Sequence, residues 1–248
     1  MREHNESASP TLVYLPGLHG DWTLIAGFRR ALGNRVRFVE TTYPRTTTWS
    51  LDDYAEGVEQ ALAQRGISEG WILGESFSSQ VVWALVRRSK FGIKGVILSG
   101  GFVRHPIGWG VRLAEKVAGD MSLNLLTRLL FGYAKIARYR FRKSPEVVAG
   151  IHEFIARRTD QDRLAARHRL HLITQSDFDS TARQASIPVF AITGFFDPIV
   201  PWVFVRPWLR RNCPGLAEYK VVFTADHNVL GTAPDTSAEQ ILRWIRAT

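Results

Sequence analysis

The chain carries a single cysteine, Cys213, in 248 residues. A lone thiol closes no internal disulfide and builds no metal cluster by itself, which excludes disulfide-stapled scaffolds and zinc ribbons. No Cys/His set has zinc spacing: His168 and His171 stand three apart on an expected helix, with no third ligand in view. The pattern G-x-x-x-x-G-K-[ST] is absent, and no G-x-G-x-x-G follows a strand, so the two common phosphate cradles are missing. No apolar run reaches the ~18 residues of a membrane span. The opening Met1-Arg2-Glu3-His4-Asn5-Glu6-Ser7 is polar where a secretory signal would be apolar. Internal repeats and low-complexity linkers are also absent. These absences lead to the expectation of a soluble, cytoplasmic protein in a reducing compartment, with no metal.

What is present is an ordinary globular composition, 45% hydrophobic and 22% charged, in a chain long enough for a sizeable core. The net charge is +9, and residues 102–183 hold 15 Lys/Arg against 8 Asp/Glu, so +7 of it sits there. Lys135, Arg138, Arg140, Arg142 and Lys143 are the densest part. Such a run reads first as a solvated helical face. Association with nucleic acid or anionic lipid is the rival reading, and it implies a steep loss of binding with salt. No nucleic-acid partner is expected.

The hydrophobic pattern alternates between strand and helix. Thr11–Leu15 is a near-continuous apolar run stopped by Pro16-Gly17, as in a strand buried on both faces. A helix is expected from Trp22 to Leu32, a strand at Val36–Val39, and a helix from Leu51 to Arg65 capped by Ser50. Trp71-Ile72-Leu73 is a third strand, Ser79–Arg88 a helix, and Lys94–Gly101 a fourth strand running into a glycine turn. This order predicts a parallel sheet with helices on both faces. From 102 to 183 the rhythm breaks into helical patterns at Trp109–Ala118, Leu123–Arg140, Pro145–Arg158 and Asp160–Leu172. Helices inserted between two strands must sit outside the sheet, so this segment reads as a helical cap. Strands resume at Ile187–Thr193 and Glu218–Phe223, with helices at Trp202–Arg211 and Thr236–Arg246. Residues 1–10 read as a loosely docked lead-in.

Chemistry enters at Gly74-Glu75-Ser76-Phe77-Ser78, which joins a strand to a helix. A serine there has the form of a nucleophile elbow, and it also has the form of a simple helix cap. A serine hydroxyl needs a base to take its proton and a carboxylate to orient that base. In an open parallel sheet such groups gather in the loops after strands. Two loops supply them: Asp197 in Gly194-Phe195-Phe196-Asp197-Pro198, and His227 in Thr224-Ala225-Asp226-His227-Asn228. Asp197 alone could be a turn former and His227 alone a surface residue. Asp226 is the poorer carboxylate, because neighbouring side chains in an extended loop diverge. A developing oxyanion needs two backbone donors. The amide of Phe77 is one; the other falls in Pro16-Gly17-Leu18-His19-Gly20, with Leu18 preferred over His19.

On Leu15–Gly20, Gly74–Ser78, Gly194–Asp197 and Asp226–Asn228 the chain resembles the α/β-hydrolase superfamily, and within it small bacterial esterase-like serine hydrolases with a helical cap. The resemblance covers nearly the whole chain outside the cap. It implies an α/β core at 1–101 and 184–248, a cap at 102–183, Ser76 as nucleophile, Asp197 as acid, His227 as base, and no cofactor. It implies cleavage of a carboxylic ester or thioester of a small-molecule acyl substrate through an acyl-enzyme. The alternative is a catalytically weak ligand-binding or interaction protein on the same fold. Two departures stand out. Ser78 occupies a position where the family has glycine, and the first two strands of the family's eight-stranded sheet look absent or reduced.

Overall fold

The computed structural model describes residues 1–4, 9–120 and 145–248. Seven strands form one sheet: β1 (Arg2–His4), β2 (Thr11–Leu15), β3 (Arg37–Glu40), β4 (Glu69–Glu75), β5 (Gly92–Ser99), β6 (Val189–Phe196) and β7 (Leu216–Asp226). Their spatial order is β1-β3-β2-β4-β5-β6-β7. Every neighbouring pair is parallel except β1 with β3. Alternate residues divide between the two faces. Val13 and Leu15 join one core, Leu12 and Tyr14 the other. A strand buried on both faces has no polar alternation, and this is why these strands read as short apolar runs.

Helices α1 (Ala26–Leu32), α2 (Leu51–Ala63) and α3 (Ser78–Arg88) alternate with these strands. Phe28 and Leu32 of α1 pack in the core that holds Leu12; Tyr54, Val58 and Val81 of α2 and α3 pack in the other. Ser50 caps α2 through a reciprocal bond with Asp53, leaving no orphan donor at that position. In chain order, α4 (Gly108–Asp120), α5 (Pro145–Ala156), α6 (Asp160–Gln175) and α7 (Asp179–Gln184) lie between β5 and β6. Helix α6 starts at a second capping box, Thr159 with Asp162. Then come α8 (Trp202–Asn212), the short α9 (Val229–Thr232) and α10 (Pro234–Ala247), which buries Ile241, Leu242 and Ile245 beside α1.

Several expectations need correction. The lead-in holds strand β1. Its sequence shows no apolar alternation because polar side chains and the ladder to β3 hold it: Arg37 pairs with Glu3, and His4 Nε2 lies 3.0 Å from the buried Glu40. The first helix opens as a 3-10 turn at Thr23–Ile25. Gly194-Phe195-Phe196, read as loop, continues β6, because β7 runs on to Asp226 and pairs with it through Phe196. Helices α7 and α9 are too short to show a period. The helix expected at Leu123–Arg140, and with it Lys135, Arg138, Arg140, Arg142 and Lys143, lies outside the described residues. No helix among the described residues is long and apolar enough to cross a membrane.

Candidate active site

Strand β4 ends at Glu75, and the next residue, Ser76, has φ of +50°. A non-glycine residue in the left-handed region is strained and persists only where its surroundings over-determine it. Here the surroundings are tight. A Cβ on Gly74 would lie 2.5 Å from Val82 Cγ2 and 3.0 Å from the Ser78 carbonyl, so only glycine fits before the turn. The Ser76 amide donates to the Ser99 carbonyl at 2.9 Å, fixing the turn to β5. Helix α3 starts at once, with Ser79 and Gln80 donating back to the Ser76 and Phe77 carbonyls. The first amides of a helix have no intrahelical acceptor, and Phe77 is the residue at that mouth.

Ser78 is fully buried. Its hydroxyl donates to the Pro16 carbonyl and lies 2.6 Å from the Tyr43 hydroxyl. One proton per hydroxyl orders these contacts, so Tyr43 donates to Ser78 and Ser78 to Pro16. The serine at the fifth position of Gly74–Ser78 therefore ties the elbow to the loop after β2.

His227 follows β7. Its Nε2 is 2.8 Å from Ser76 Oγ, and its Nδ1 is 2.8 Å from Asp197 Oδ2. Asp197 is buried, and its other oxygen accepts the amides of Ile199 and Val200 at 2.9 and 2.8 Å. It is thus a turn former and a partner of the imidazole at once, one oxygen to each task. Two glycines make the approach possible. A Cβ on Gly194 would sit 2.1 Å from the Asp226 carbonyl, so β6 and β7 can close only there without a side chain. Gly100, at φ +55°, leaves its space to the His227 ring, which a Cβ would meet at 3.3 Å. Asp226 turns away and accepts from the Asn228 amide and the Thr232 hydroxyl.

Burial by itself lowers the pKa of His227. The hydrogen bond and charge of Asp197, with help from Glu75 and Asp226, outweigh it and leave the net shift upward from 6.5. Glu75, in the elbow, is itself buried and accepts a hydrogen bond from Tyr14. Burial first, then the Glu75 charge, drive the Tyr14 phenol far up, so it stays a donor.

A cavity of about 340 Å³ opens on Ser76. Leu18 and Ser76 form its floor on the sheet side; Ile107, Val111, Leu170 and Ile173 form walls from the inserted segment. A hollow of similar size, about 370 Å³, lies between Val86 and Ile187 and has none of the site residues on its wall. Among the described lining residues of the first cavity no Lys, Arg, Asp or Glu occurs, and the polar side chains besides Ser76 are His105 and the outward-lying Trp109. His105 Nδ1 accepts the Ile107 amide at 3.2 Å. Burial, then the nearby His227, lower its pKa to about 4. It is therefore neutral at pH 7 and carries its proton on Nε2. By sequence His105 falls in the inserted segment at 102–183, which gives it no role; its position shortly after the glycine turn of β5 is the available signal.

Of the other predicted residues, Leu18 lines the cavity and His19 packs edge-on against Phe154 at 5.5 Å. His168 reaches the Trp49 carbonyl and His171 reaches Glu115, so the two point to separate partners. No group of three His, Cys, Asp or Glu among the described residues is placed to hold a metal. Arg169, also on α6, was missed: it is buried and donates to the carbonyls of Leu18 and Pro44.

The sequence matches no family model and no curated protein. Solved structures do match over the whole chain. An enol-lactonase from Burkholderia xenovorans superposes with a TM-score of 0.79 at 19% identity, covering 99% of this chain and 95% of its own. An esterase from a Rhodococcus species gives 0.80 at 18%, covering 99% and 93%. A bromoperoxidase from Bacillus anthracis gives 0.77 at 14%, again covering 99% and 93%. At these identities the likeness establishes the fold.

Proposed function

We propose that this chain, which has the α/β-hydrolase fold, is a serine hydrolase that cleaves a carboxylic ester or thioester through an acyl-enzyme on Ser76. The observation that carries the reading is the chain of two 2.8 Å contacts from Ser76 through His227 to Asp197, beginning on a serine held at positive φ. In the mechanism His227 Nε2 takes the proton as Ser76 Oγ attacks the acyl carbon. Asp197 accepts the Nδ1 proton, holding the productive tautomer and stabilising the imidazolium. The oxyanion is held by the amides of Phe77 and Leu18, worth about 3 kcal/mol for each donor in comparable sites. His227 then protonates the leaving alcohol or thiol. Water, deprotonated by the same imidazole, releases the acid and restores Ser76.

The helices from 102 to 183 act as a cap on a core made of 1–101 and 184–248. In support, the cavity is walled on one side by Ile107, Val111, Leu170 and Ile173 and on the other by Ser76 and Leu18. A cavity with that apolar wall favours a neutral, apolar acyl or alcohol group, since a buried charge without a partner is costly. His105 offers one hydrogen-bond donor on an otherwise apolar wall.

Nitrophenyl esters test this. Butyrate ester should be turned over, Ser76→Ala should lower kcat by at least ~10³-fold with the fold intact, and a hemisuccinate ester, charged at the acyl end, should be hydrolysed far more slowly. Undiminished turnover in Ser76→Ala would refute the nucleophile. Faster turnover of the hemisuccinate would refute the substrate class.

A further inference from the structure

Arg169 is 2% exposed, yet no carboxylate pairs with it among the described residues. A buried guanidinium without a counter-ion is expensive, so its contacts need a reason. Its Nη1 donates to the Leu18 carbonyl at 2.8 Å, Nη2 to the Pro44 carbonyl at 3.0 Å, and Nε to the Tyr54 hydroxyl at 3.3 Å. Its carbon lies 5.6 and 5.9 Å from the ring centres of Tyr43 and Tyr54. Carbonyl dipoles and aromatic faces thus replace the missing anion. The fit is close: a Cβ on Gly20, which has φ of +81°, would meet Nη1 at 2.6 Å.

The partner carbonyls are the informative part. Across a trans peptide the N–H points opposite to the preceding C=O, and this chain has no cis peptide among its described residues. The Gly17 carbonyl accepts the Gly20 amide at 3.0 Å, which sets the plane on the N-terminal side of Leu18 and so the direction of the Leu18 N–H. The Leu18 carbonyl accepts from Arg169, which sets the plane on its C-terminal side. One plane earlier, the Pro16 carbonyl is held by Ser78. The Gly20 carbonyl, at the loop's end, accepts the Tyr43 amide at 2.9 Å. With both flanking planes held, both backbone torsions of Leu18 are restrained. Of these four holds, three come from the core and one from a helix of the inserted segment.

We propose that Arg169 is a positioning residue for the oxyanion site: from α6 it locks the Leu18–His19 peptide and so, together with the Gly17–Gly20 bond on the other side, holds Leu18 with its N–H aimed at the substrate carbonyl that Ser76 attacks. The proposal rests on the hydrolase reading above and extends it. The inserted helices then do more than wall the cavity, since one of them completes the transition-state site. Helix α6 is correspondingly a fixed part of the enzyme, also joined to the core by His168 on the Trp49 carbonyl and by Arg45 on Asp162.

The test compares Arg169→Met, Arg169→Lys and, as a docking control, Arg45→Ala, which removes a contact of the same helix without touching the loop. Amide hydrogen exchange over residues 17–21 should speed up at least ~10-fold in Arg169→Met, with β4 unchanged, because one of the loop's holds is lost. On nitrophenyl acetate its kcat should fall ~30–100-fold while KM stays within ~3-fold, the mark of a contact that acts in the transition state. Arg169→Lys, whose single ammonium cannot span both carbonyls, should lie between. Arg45→Ala should keep wild-type kcat. A folded Arg169→Met with wild-type kcat, a loss confined to KM, or unchanged loop exchange would overturn the proposal. If Arg169→Met does not fold, Arg169→Lys decides by the same three readouts. Wild-type protein that turns over no ester would instead overturn the hydrolase reading, and the catalytic role of Arg169 with it, whatever the exchange shows.

Discussion

At the scale of single residues, the site is a set of side chains each held by at least two constraints. Asp197 shows it best: one carboxylate oxygen closes a turn on two amides and the other is left for His227. Asp197→Asn should keep the turn yet present the wrong group to Nδ1, lowering kcat by roughly 10⁴-fold with little change in melting temperature on the alkaline side of the His227 pKa. The pH profile follows from the same contact. His227 must be neutral to accept a proton, and its pKa is raised above 6.5, so kcat/KM should rise with pH through an inflection on the alkaline side of that value. Stopped-flow or steady-state profiles should show it, and an inflection below 6.5 would mean that Asp197 does not charge the ring as described. Ser76, Asp197 and His227 were legible as three polar residues in post-strand loops in a particular order; that they touch was not. Arg169 was illegible, because its partner Leu18 is 151 positions away and nothing near Arg169 in sequence marks it. Ser78 was visible only as a departure, while its hydrogen bond to Pro16 could be seen only in three dimensions.

At the scale of elements, the elbow depends on close packing between β4 and α3. Gly74→Ala would drive a methyl to 2.5 Å from Val82 and 3.0 Å from backbone, so the helix must move. A loss of about 1–3 kcal/mol or more is expected, measured by denaturant unfolding, together with loss of activity. Ser78→Ala should leave the Tyr43 hydroxyl buried without its acceptor and cost about 1–3 kcal/mol. The double variant with Tyr43→Phe should cost less than the sum, and strict additivity would show that the pair does not interact. Strands β2 to β5 were legible because both faces are buried and the runs are apolar. The ends of β6 and β7 were not, since Gly194 and two exposed phenylalanines look like loop until the partner strand is known. Strand β1 was hidden for a different reason: polar side chains rather than apolar ones hold it.

At the scale of the whole molecule, charge pairs join the inserted segment to the sheet domain. Arg158, two residues past the end of α5, pairs with Asp21 in the loop after β2. Burial raises the Asp21 pKa, but His19, Arg158 and Thr23 together lower it from 3.8 to about 2. A depressed carboxylate stabilises the fold above its unfolded value, and that contribution is lost as pH falls from 3.8 to about 2. The contribution is on the order of 2 kcal/mol. Asp21→Asn should therefore lower the melting temperature at pH 6 and have little effect near pH 2. His227 works the other way. Its raised pKa stabilises the protein below 6.5 and the gain fades as pH rises through the folded value. The His227–Asp197 pair is thus most stabilising where the proposed hydrolysis is slowest. The account stands or falls on the reactivity of Ser76, and a fluorophosphonate probe with peptide mapping by mass spectrometry measures that directly. Folded wild-type protein should take up one phosphonyl group on Ser76, and His227→Ala should take up almost none. No adduct on folded wild-type protein, or one on a different residue, would contradict it.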